Sequence, residues 1–306
     1  MKAILYLNFL ILSGFLSAQN SSVKLEQAFP EKHKGYTIKD ENGNQVFTKE
    51  YKYLDSVNIY GFNYKSYDSL KIRGFLIEPK AKGKYPVIIF NRGGNREFGA
   101  VTIATLTDFL AKIADKGFII IGSQLRGSGR SEGKDEFGGK DIGDVMKLFG
   151  IIDHQENADP TKIGMLGVSR GSMTNFLVLK ETDRIKANIT IGGIADLNQK
   201  DRPEMYQLYR ELIPKFDENP TKELDKRSSL LAIPLIKNKN LKNFIIHGAN
   251  DERVHVENAF LLFDKLKSNN FSTKLLVYED ANHGINNNTK DLICQIINFY
   301  KLYLVK

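Results

Sequence analysis

Short apolar runs alternate with longer amphipathic segments along most of the chain after Pro86. The apolar runs are rich in Ile, Val, Leu and Phe, which is typical of strands that are covered on both faces of a sheet. They occupy residues 87–90, 118–121, 163–167, 187–191, 244–247 and 273–278. The helical segments between them occupy residues 103–116, 142–154, 170–181, 256–268 and 290–304. This alternation predicts a mostly parallel sheet with helices on both faces.

Two segments depart from the alternation. Residues 57–64 and 71–78 are β-prone runs joined by a turn at Tyr67, Asp68 and Ser69, which predicts an antiparallel hairpin at the start of the sheet and about eight strands in all. Residues 196–240 contain short apolar pairs followed by Pro214 and Pro220. We expect them to form a small helical insertion that lies over one end of the sheet like a cap.

The first 19 residues differ in composition from the rest of the chain. A basic start at Lys2 is followed by an apolar run over residues 3–16 and then by small residues up to Gln19, which is the pattern of a secretory signal peptide. We therefore expect a signal peptide over residues 1–19, cleaved near Ala18 or Gln19, and a secreted or periplasmic protein. A membrane anchor is the alternative, but the run is shorter than the roughly 20 residues of a spanning helix. We expect no stable membrane insertion after the signal is removed.

Residues 20–54 are polar and rich in Lys, Glu and Asn, so we expect a loosely packed extension ahead of one main domain over residues 55–306. The net charge of +8 comes from 44 basic and 36 acidic residues. Because the basic residues never form a run of five, they indicate a solvated surface and no nucleic-acid partner. The chain's one cysteine, Cys294, has apolar neighbours at helical spacing, which predicts a buried thiol. No zinc-binding histidine pattern occurs, so we expect no metal and no cofactor.

A Gly-x-Ser-x-Gly motif follows the predicted strand at residues 163–167 and precedes a helical pattern. It reads Gly167-Val168-Ser169-Arg170-Gly171. A strand, this motif and a helix in succession are the context of a nucleophile elbow in the α/β-hydrolase fold. Both glycines are needed because a β-carbon in so tight a turn would collide with neighbouring elements. The motif predicts that Ser169 is a nucleophile.

A serine nucleophile needs a base, and histidine is the usual one because its reference pKa is about 6.5. Among the five histidines, His283 alone follows the last predicted strand, where this fold places its general base. The orienting acid is expected after the preceding strand, which selects Asp251. Glu252 is the second candidate for this acid, and Asp196 is a more remote one. His247 lies in or at the end of a strand, where a structural role is the better interpretation.

The oxyanion hole of this fold combines the N–H group after the nucleophile with one from the loop after an earlier strand. The corresponding residues are Arg170 and either Gly93 or Gly94. Two successive glycines allow the backbone to direct N–H groups at a ligand. A simple glycine turn is the alternative.

Over residues 55–304 the sequence resembles the catalytic domain of the prolyl oligopeptidase family of serine peptidases. The matching motifs are Gly93-Gly94 after a Tyr-Pro-Val-Ile-Ile run, Arg126-Gly127-Ser128, residues 137–141 with Asp144, residues 167–171, His247-Gly248 with Asp251 and Val254, and His283-Gly284. The resemblance implies a triad of Ser169, Asp251 and His283 and cleavage of short peptides. Arg92 stands where the family has the histidine of His-Gly-Gly-Pro, and we expect it to contact substrate.

Three functions follow from these residues. We expect a secreted serine peptidase that forms an acyl-enzyme. A carboxylesterase acting on secreted esters such as acylated sugars is the enzymatic alternative, because the same machinery cleaves both bonds. A non-catalytic binding protein that kept the fold is the third, and the complete, ordered triad argues against it.

Overall fold

The computed structural model describes residues 23–28, 35–198 and 202–306. The expected signal peptide and its cleavage point lie outside these residues. Within the described part of the chain, no helix is long and apolar enough to cross a membrane.

Nine strands form one sheet in the order β1-β4-β5-β7-β6-β8-β9-β10-β11, and a short hairpin of β2 and β3 stands apart. The strands are β1 (Leu25–Gln27), β2 (Thr37–Lys39), β3 (Gln45–Phe47), β4 (Val57–Lys65), β5 (Lys71–Pro79), β6 (Tyr85–Asn91), β7 (Ile119–Ser123), β8 (Ala158–Val168), β9 (Ile185–Ile191), β10 (Lys242–Gly248) and β11 (Ser272–Tyr278). In this sheet order, all neighbouring strands from β7 through β6 to β11 pair parallel. The pairs β1–β4, β4–β5 and β5–β7 are antiparallel. The predicted mostly parallel sheet with an opening hairpin is confirmed.

Helices cover both faces of the sheet, as predicted. They are α1 (Ala111–Ala114), α2 (Asp141–His154), α3 (Arg170–Leu179), α4 (Glu204–Leu212), α5 (Pro220–Asp225), α6 (Ser229–Ala232), α7 (Glu257–Ser268) and α8 (Thr289–Tyr300). A π-helical segment, Thr105–Leu110, leads into α1, and another, Lys301–Val305, follows α8. Short 3₁₀ helices occupy Lys49–Ser56, Phe216–Glu218, Ile233–Leu235 and Asn286–Asn288. Helices α4 to α6 form the expected helical insertion.

The two faces of the sheet carry separate apolar cores. On β6, Val87 and Ile89 pack into the core of α2, α3 and α7, whereas Ile88 and Phe90 pack into the core of α1 and α8. Successive strand side chains point to opposite faces, so a run that is apolar at every position fills both cores. This explains why the central strands read as short continuous apolar runs.

The described parts of the amino-terminal segment, residues 23–28 and 35–54, pack more closely than we expected. Strand β1 pairs with β4 through Leu25 and Phe62, which adds a ninth strand to the sheet. Leu54, in the 3₁₀ helix Lys49–Ser56, is buried in the core of α1 and α8. The boundary predicted at residue 55 is therefore not a break in packing. A three-residue strand leaves too short a pattern to be recognised in a polar segment.

The thiol of Cys294 is exposed, which corrects the prediction of a buried cysteine. In α8 the buried stripe contains Leu292, Ile293, Ile296 and Ile297. At 3.6 residues per turn, position 294 falls on the opposite side of the helix from the middle of that stripe. Apolar neighbours in sequence did not predict the burial of Cys294 correctly, because successive residues of a helix face different directions.

Candidate active site

Ser169 lies in the sharp turn between β8 and α3, with φ of 55° and ψ of −123°. A non-glycine residue with positive φ is strained and persists only where its surroundings hold it. The N–H of Ser169 donates to the carbonyl of Ile191 at 2.7 Å. A β-carbon at Gly171 would collide with the Asn91 carbonyl, and one at Gly167 with the Gly171 carbonyl. The turn therefore requires both glycines of the motif.

His283 and Asp251 meet at the carboxyl edge of the sheet, in the loops after β11 and β10. Nδ1 of His283 lies 2.7 Å from Oδ2 of Asp251, whose side chain is fully buried. An N–H donated from Nδ1 leaves Nε2 free to accept a proton from a nucleophile. His283 and Ser169 line the same cavity, whose volume is about 470 Å³. The structure thus brings the three sequence-predicted residues to one site.

Four protein groups hold the carboxylate of Asp251. Its Oδ1 accepts the N–H groups of Arg253 and Val254, each at 2.9 Å, and Nε2 of His247 lies 3.2 Å from Oδ2. Burial alone would raise the pKa of Asp251, but the hydrogen bonds from His247, His283 and Val254 outweigh it and hold the pKa well below the usual range. Asp251 is therefore a carboxylate at every pH at which a histidine base can act.

The other candidate acids lie elsewhere. Glu252 is exposed, and Asp196 accepts the N–H of Asn198 at 3.1 Å and lines a neighbouring cavity. His247 is fully buried and its Nε2 lies 2.7 Å from the carbonyl of Val254. The geometry selects Asp251 over the alternatives and gives His247 a supporting place behind it.

The glycine loop after β6 lies directly against the nucleophile. A β-carbon at Gly93 would lie 3.0 Å from Cβ and 3.7 Å from Oγ of Ser169, and Gly94 has φ of +70°. Within the part of the chain that the structure describes, the N–H groups of Gly93, Gly94 and Arg170 donate to no backbone carbonyl. Arg170 begins α3, where the helix dipole favours negative charge. These N–H groups are available to a developing oxyanion.

Arg92 has a different set of contacts from the one we expected. Its buried guanidinium donates to the carbonyls of Gln124, Gly93, Phe98 and Arg96, at 2.7–3.1 Å. Burial, followed by the nearby charge of Arg170, lowers the pKa of Arg92 to about 10. With its donors directed at these carbonyls, Arg92 shapes the glycine loop, and we no longer expect it to bind substrate.

A buried ion network that the sequence did not reveal joins this loop to α3. The guanidinium of Arg170 makes two hydrogen bonds of 2.7 Å to Asp135 and one of 2.9 Å to Asp141. Arg170 also donates to the carbonyl of Gly94 at 3.1 Å, and Asp135 accepts the N–H of Arg96 at 2.8 Å. Asp135 thus fixes both the helix after the nucleophile and the loop that carries the oxyanion donors. The family motif at residues 137–141 was the available signal, but it did not include Asp135.

We expect Asp135→Ala to lower both stability and activity. Leaving Arg170 with one of its two acids breaks a buried ion network, which costs about 3 kcal/mol in the free energy of unfolding. Displacement of the glycine loop should lower kcat/KM by up to about 10²-fold. Glu211→Ala is the matched control, because it removes the exposed ion pair between Glu211 and Arg96 and should cost less than about 1 kcal/mol. Urea unfolding and initial rates measure both effects, and equal losses in the two variants would contradict the assignment.

Within the described residues, no group of three or more histidine, cysteine, aspartate or glutamate side chains could hold a metal ion. Ser169 and His283 line one cavity together with Gly93 and Gly94 of the glycine loop.

Known proteins resemble this chain in sequence and in fold. A sequence model of the prolyl oligopeptidase family matches residues 106–306. The uncharacterized peptidase YtmA of Bacillus subtilis (strain 168) is 26% identical over 230 residues, which cover 74% of this chain and 86% of YtmA.

Two solved structures share the α/β-hydrolase fold with this chain. The acylaminoacyl peptidase of Pyrococcus horikoshii is 22% identical with a TM-score of 0.66, and the match covers 86% of this chain and 45% of that one. An esterase of Pyrococcus furiosus is 20% identical with a TM-score of 0.61, and the match covers 80% of this chain and 91% of that one. The chain therefore spans most of YtmA and less than half of the P. horikoshii peptidase.

Proposed function

The chain belongs to the prolyl oligopeptidase family of serine hydrolases, and from that premise we propose that it cleaves short peptides through an acyl-enzyme formed on Ser169. One observation carries the proposal. The 2.7 Å contact between His283 and buried Asp251 adjoins the cavity that Ser169 lines. In this arrangement Ser169 is the nucleophile, His283 is the general base and Asp251 orients the histidine.

The proposed reaction has two halves. Oγ of Ser169 attacks the carbonyl carbon of the scissile amide while Nε2 of His283 takes the hydroxyl proton. The N–H groups of Arg170 and of Gly93 or Gly94 stabilise the oxyanion. His283 then gives the proton to the leaving amine, and the C–N bond breaks. Water, deprotonated by His283, attacks the acyl-enzyme, and the carboxylic acid leaves as Ser169 regains its proton.

Ester hydrolysis is the second candidate function, because the same steps act on an ester with an alcohol as the leaving group. The observation that favours it is the apolar lining of the cavity, which includes Phe90, Phe109, Val168 and Leu292. Such a lining accepts an apolar acyl or alkoxy group as readily as an apolar peptide side chain.

A matched substrate panel tests the proposal. Purified protein is assayed on peptide anilides with Pro or Ala before the scissile bond and on short-chain aryl esters, with Ser169→Ala in parallel. Anilide turnover that disappears in the variant supports the peptidase. Ester turnover alone, also lost in the variant, would replace it with the esterase. If folded wild-type protein cleaves neither class of substrate and does not react with a fluorophosphonate, the result would support a non-catalytic binding protein with this fold.

Export is part of the proposal and rests on the pattern of residues 1–19. A basic start, an apolar run and a small-residue exit are recognised by the secretory machinery. We expect the protein isolated from expressing cells to begin after Ala18 or Gln19. Amino-terminal sequencing of the cytosolic and exported fractions measures this, and protein that keeps Met1 and stays in the cytosol would contradict export.

A further inference from the structure

Apolar residues from both cores of the sheet line the active-site cavity, and we call these two groups of residues its arms. One arm is lined by Phe90, Val101, Ile191 and Leu292 from the core of α1 and α8. The other is lined by Phe137, Ile194 and Val254 from the opposite core, with Met205 beside them. Because Ser169 and His283 line the same cavity, we expect a substrate bound across the nucleophile to contact both arms.

We assign the leaving group to the first arm from the position of His283. His283 passes its proton to the leaving group, and the residues that follow it, Gly284, Asn286, Thr289 and Leu292, line the cavity on the α8 side. The acyl group therefore occupies the second arm, which we call the acyl arm and define by Phe137, Ile194, Met205 and Val254.

The charge around the cavity is of one sign. Its lining includes four arginines and, among the described residues, no aspartate or glutamate. Two of the arginines already bind protein groups with their guanidinium donors. Arg170 is paired with two aspartates, and Arg92 donates to four carbonyls. The other two are Arg202 and Arg253, which line the same cavity as the acyl arm and lie close in sequence to its residues Met205 and Val254. A carboxylate pair that could bind a substrate's amino terminus is not found in this lining.

Arg253 is exposed and is held close to the triad. Its N–H donates to Oδ1 of Asp251 at 2.9 Å, and its guanidinium lies 5.6 Å from the ring centroid of Phe98. In the part of the chain that the structure describes, it forms no ion pair. Among the described residues, the one ion pair of Arg202 is a contact of 3.4 Å with the largely exposed Glu204. Both guanidinium groups can therefore turn to an anion without breaking a buried ion pair.

We propose that the enzyme selects substrates whose acyl part carries a carboxylate, which Arg253 and Arg202 bind at the acyl arm. The inference rests on the proposed function of the same site. Guanidinium groups match carboxylates with paired, charge-assisted hydrogen bonds. The substrates of this class are peptides with an acidic residue at the first or second position before the scissile bond, or peptides blocked by a dicarboxylic acyl group.

The test compares three pairs of anilides that differ only in charge. They are acetyl-Ala-Glu against acetyl-Ala-Gln, acetyl-Glu-Ala against acetyl-Gln-Ala, and succinyl-Ala-Ala against acetyl-Ala-Ala. We expect kcat/KM to be about tenfold or more higher for the anionic member of at least one pair, as charged hydrogen bonds predict. The preference should shrink as salt is raised from 0.05 to about 0.5 M, because ions screen the attraction. Neutral members that equal or exceed the anionic ones in all three pairs would overturn the inference.

Variants assign the preference to the two arginines. We expect Arg253→Gln and Arg202→Gln each to reduce the anionic-to-neutral ratio, and the double variant to bring it within about twofold of unity. Arg210→Gln is the matched control, since Arg210 pairs with Asp217 at the surface and lies outside the cavity lining. Its ratio should equal that of the wild type. A preference that persists in a folded, fluorophosphonate-reactive double variant would also overturn the inference.

The two proposals fail in different ways. If Ser169 is not the nucleophile, hydrolysis of the neutral anilides survives Ser169→Ala. If only the selection of anionic acyl groups is wrong, that hydrolysis is lost in Ser169→Ala while no charge preference is seen in the wild type.

Discussion

Replacing Ser169 with alanine should lower kcat by about 10⁶-fold, the size of effect that removal of a serine nucleophile has in enzymes with this triad. Ser169 lies in the turn between β8 and α3 against the glycine loop, and alanine has no atom that can attack. The fold should survive, because alanine keeps the β-carbon. Initial rates on the substrate that the wild type cleaves best measure the loss. A decrease of less than about tenfold would show that another group is the nucleophile.

A second substitution at the same position separates chemistry from backbone strain. Ser169 has φ of 55°, and a non-glycine residue in such a conformation costs about 1–3 kcal/mol. Glycine relieves this strain but adds about 0.5–1 kcal/mol of entropy to the unfolded chain. We therefore expect Ser169→Gly to be as inactive as Ser169→Ala and about 1 kcal/mol more stable in urea unfolding. A glycine variant less stable than the alanine variant would contradict the strained turn.

Asp251→Asn should lower kcat by about 10⁴-fold. Asparagine has nearly the shape of aspartate, but its amide cannot hold His283 with the proton on Nδ1 or stabilise the imidazolium that forms during the reaction. The 2.7 Å contact between Nδ1 of His283 and Oδ2 of Asp251 is the geometry on which this expectation depends. Rates at several pH values measure it.

Glu252→Gln is the control for that substitution, because Glu252 is the adjacent acid and is exposed. Removing its charge should change kcat by less than about twofold, since exposed charges are screened by solvent. If Glu252→Gln caused the larger loss of kcat and Asp251→Asn the smaller one, Glu252 would be the orienting acid in place of Asp251.

The sequence predicted the sheet well because its central strands are buried on both faces. Residues 87–90, 163–167 and 244–247 are short apolar runs, and each lies within the observed strand, β6, β8 or β10. Chain order then predicted the loops that carry His283 and Asp251, because the carboxyl ends of parallel strands meet at one edge. The candidate triad could be placed from these two regularities.

Long-range polar contacts were not predictable in the same way. Asp135 is 35 residues from Arg170 in sequence, and no periodicity marks an acid that pairs with a distant arginine. For the same reason, Arg92 was expected to contact substrate and instead donates to carbonyls of its own loop and of Gln124. Arg126 likewise has an ion network, with Asp144 and Asp68. Burial of these arginines depends on the folded chain, and only the structure shows it.

The most direct test of the proposed triad is the covalent reaction of wild-type protein with a fluorophosphonate, followed by mass spectrometry of the labelled peptide. A serine made nucleophilic by a histidine base attacks such a reagent. We predict one adduct per chain, located on Ser169, and no labelling of Ser169→Ala, with strongly reduced labelling of folded His283→Ala. An adduct on another residue, or equal labelling of wild type and the two variants, would contradict the assignment of the active site.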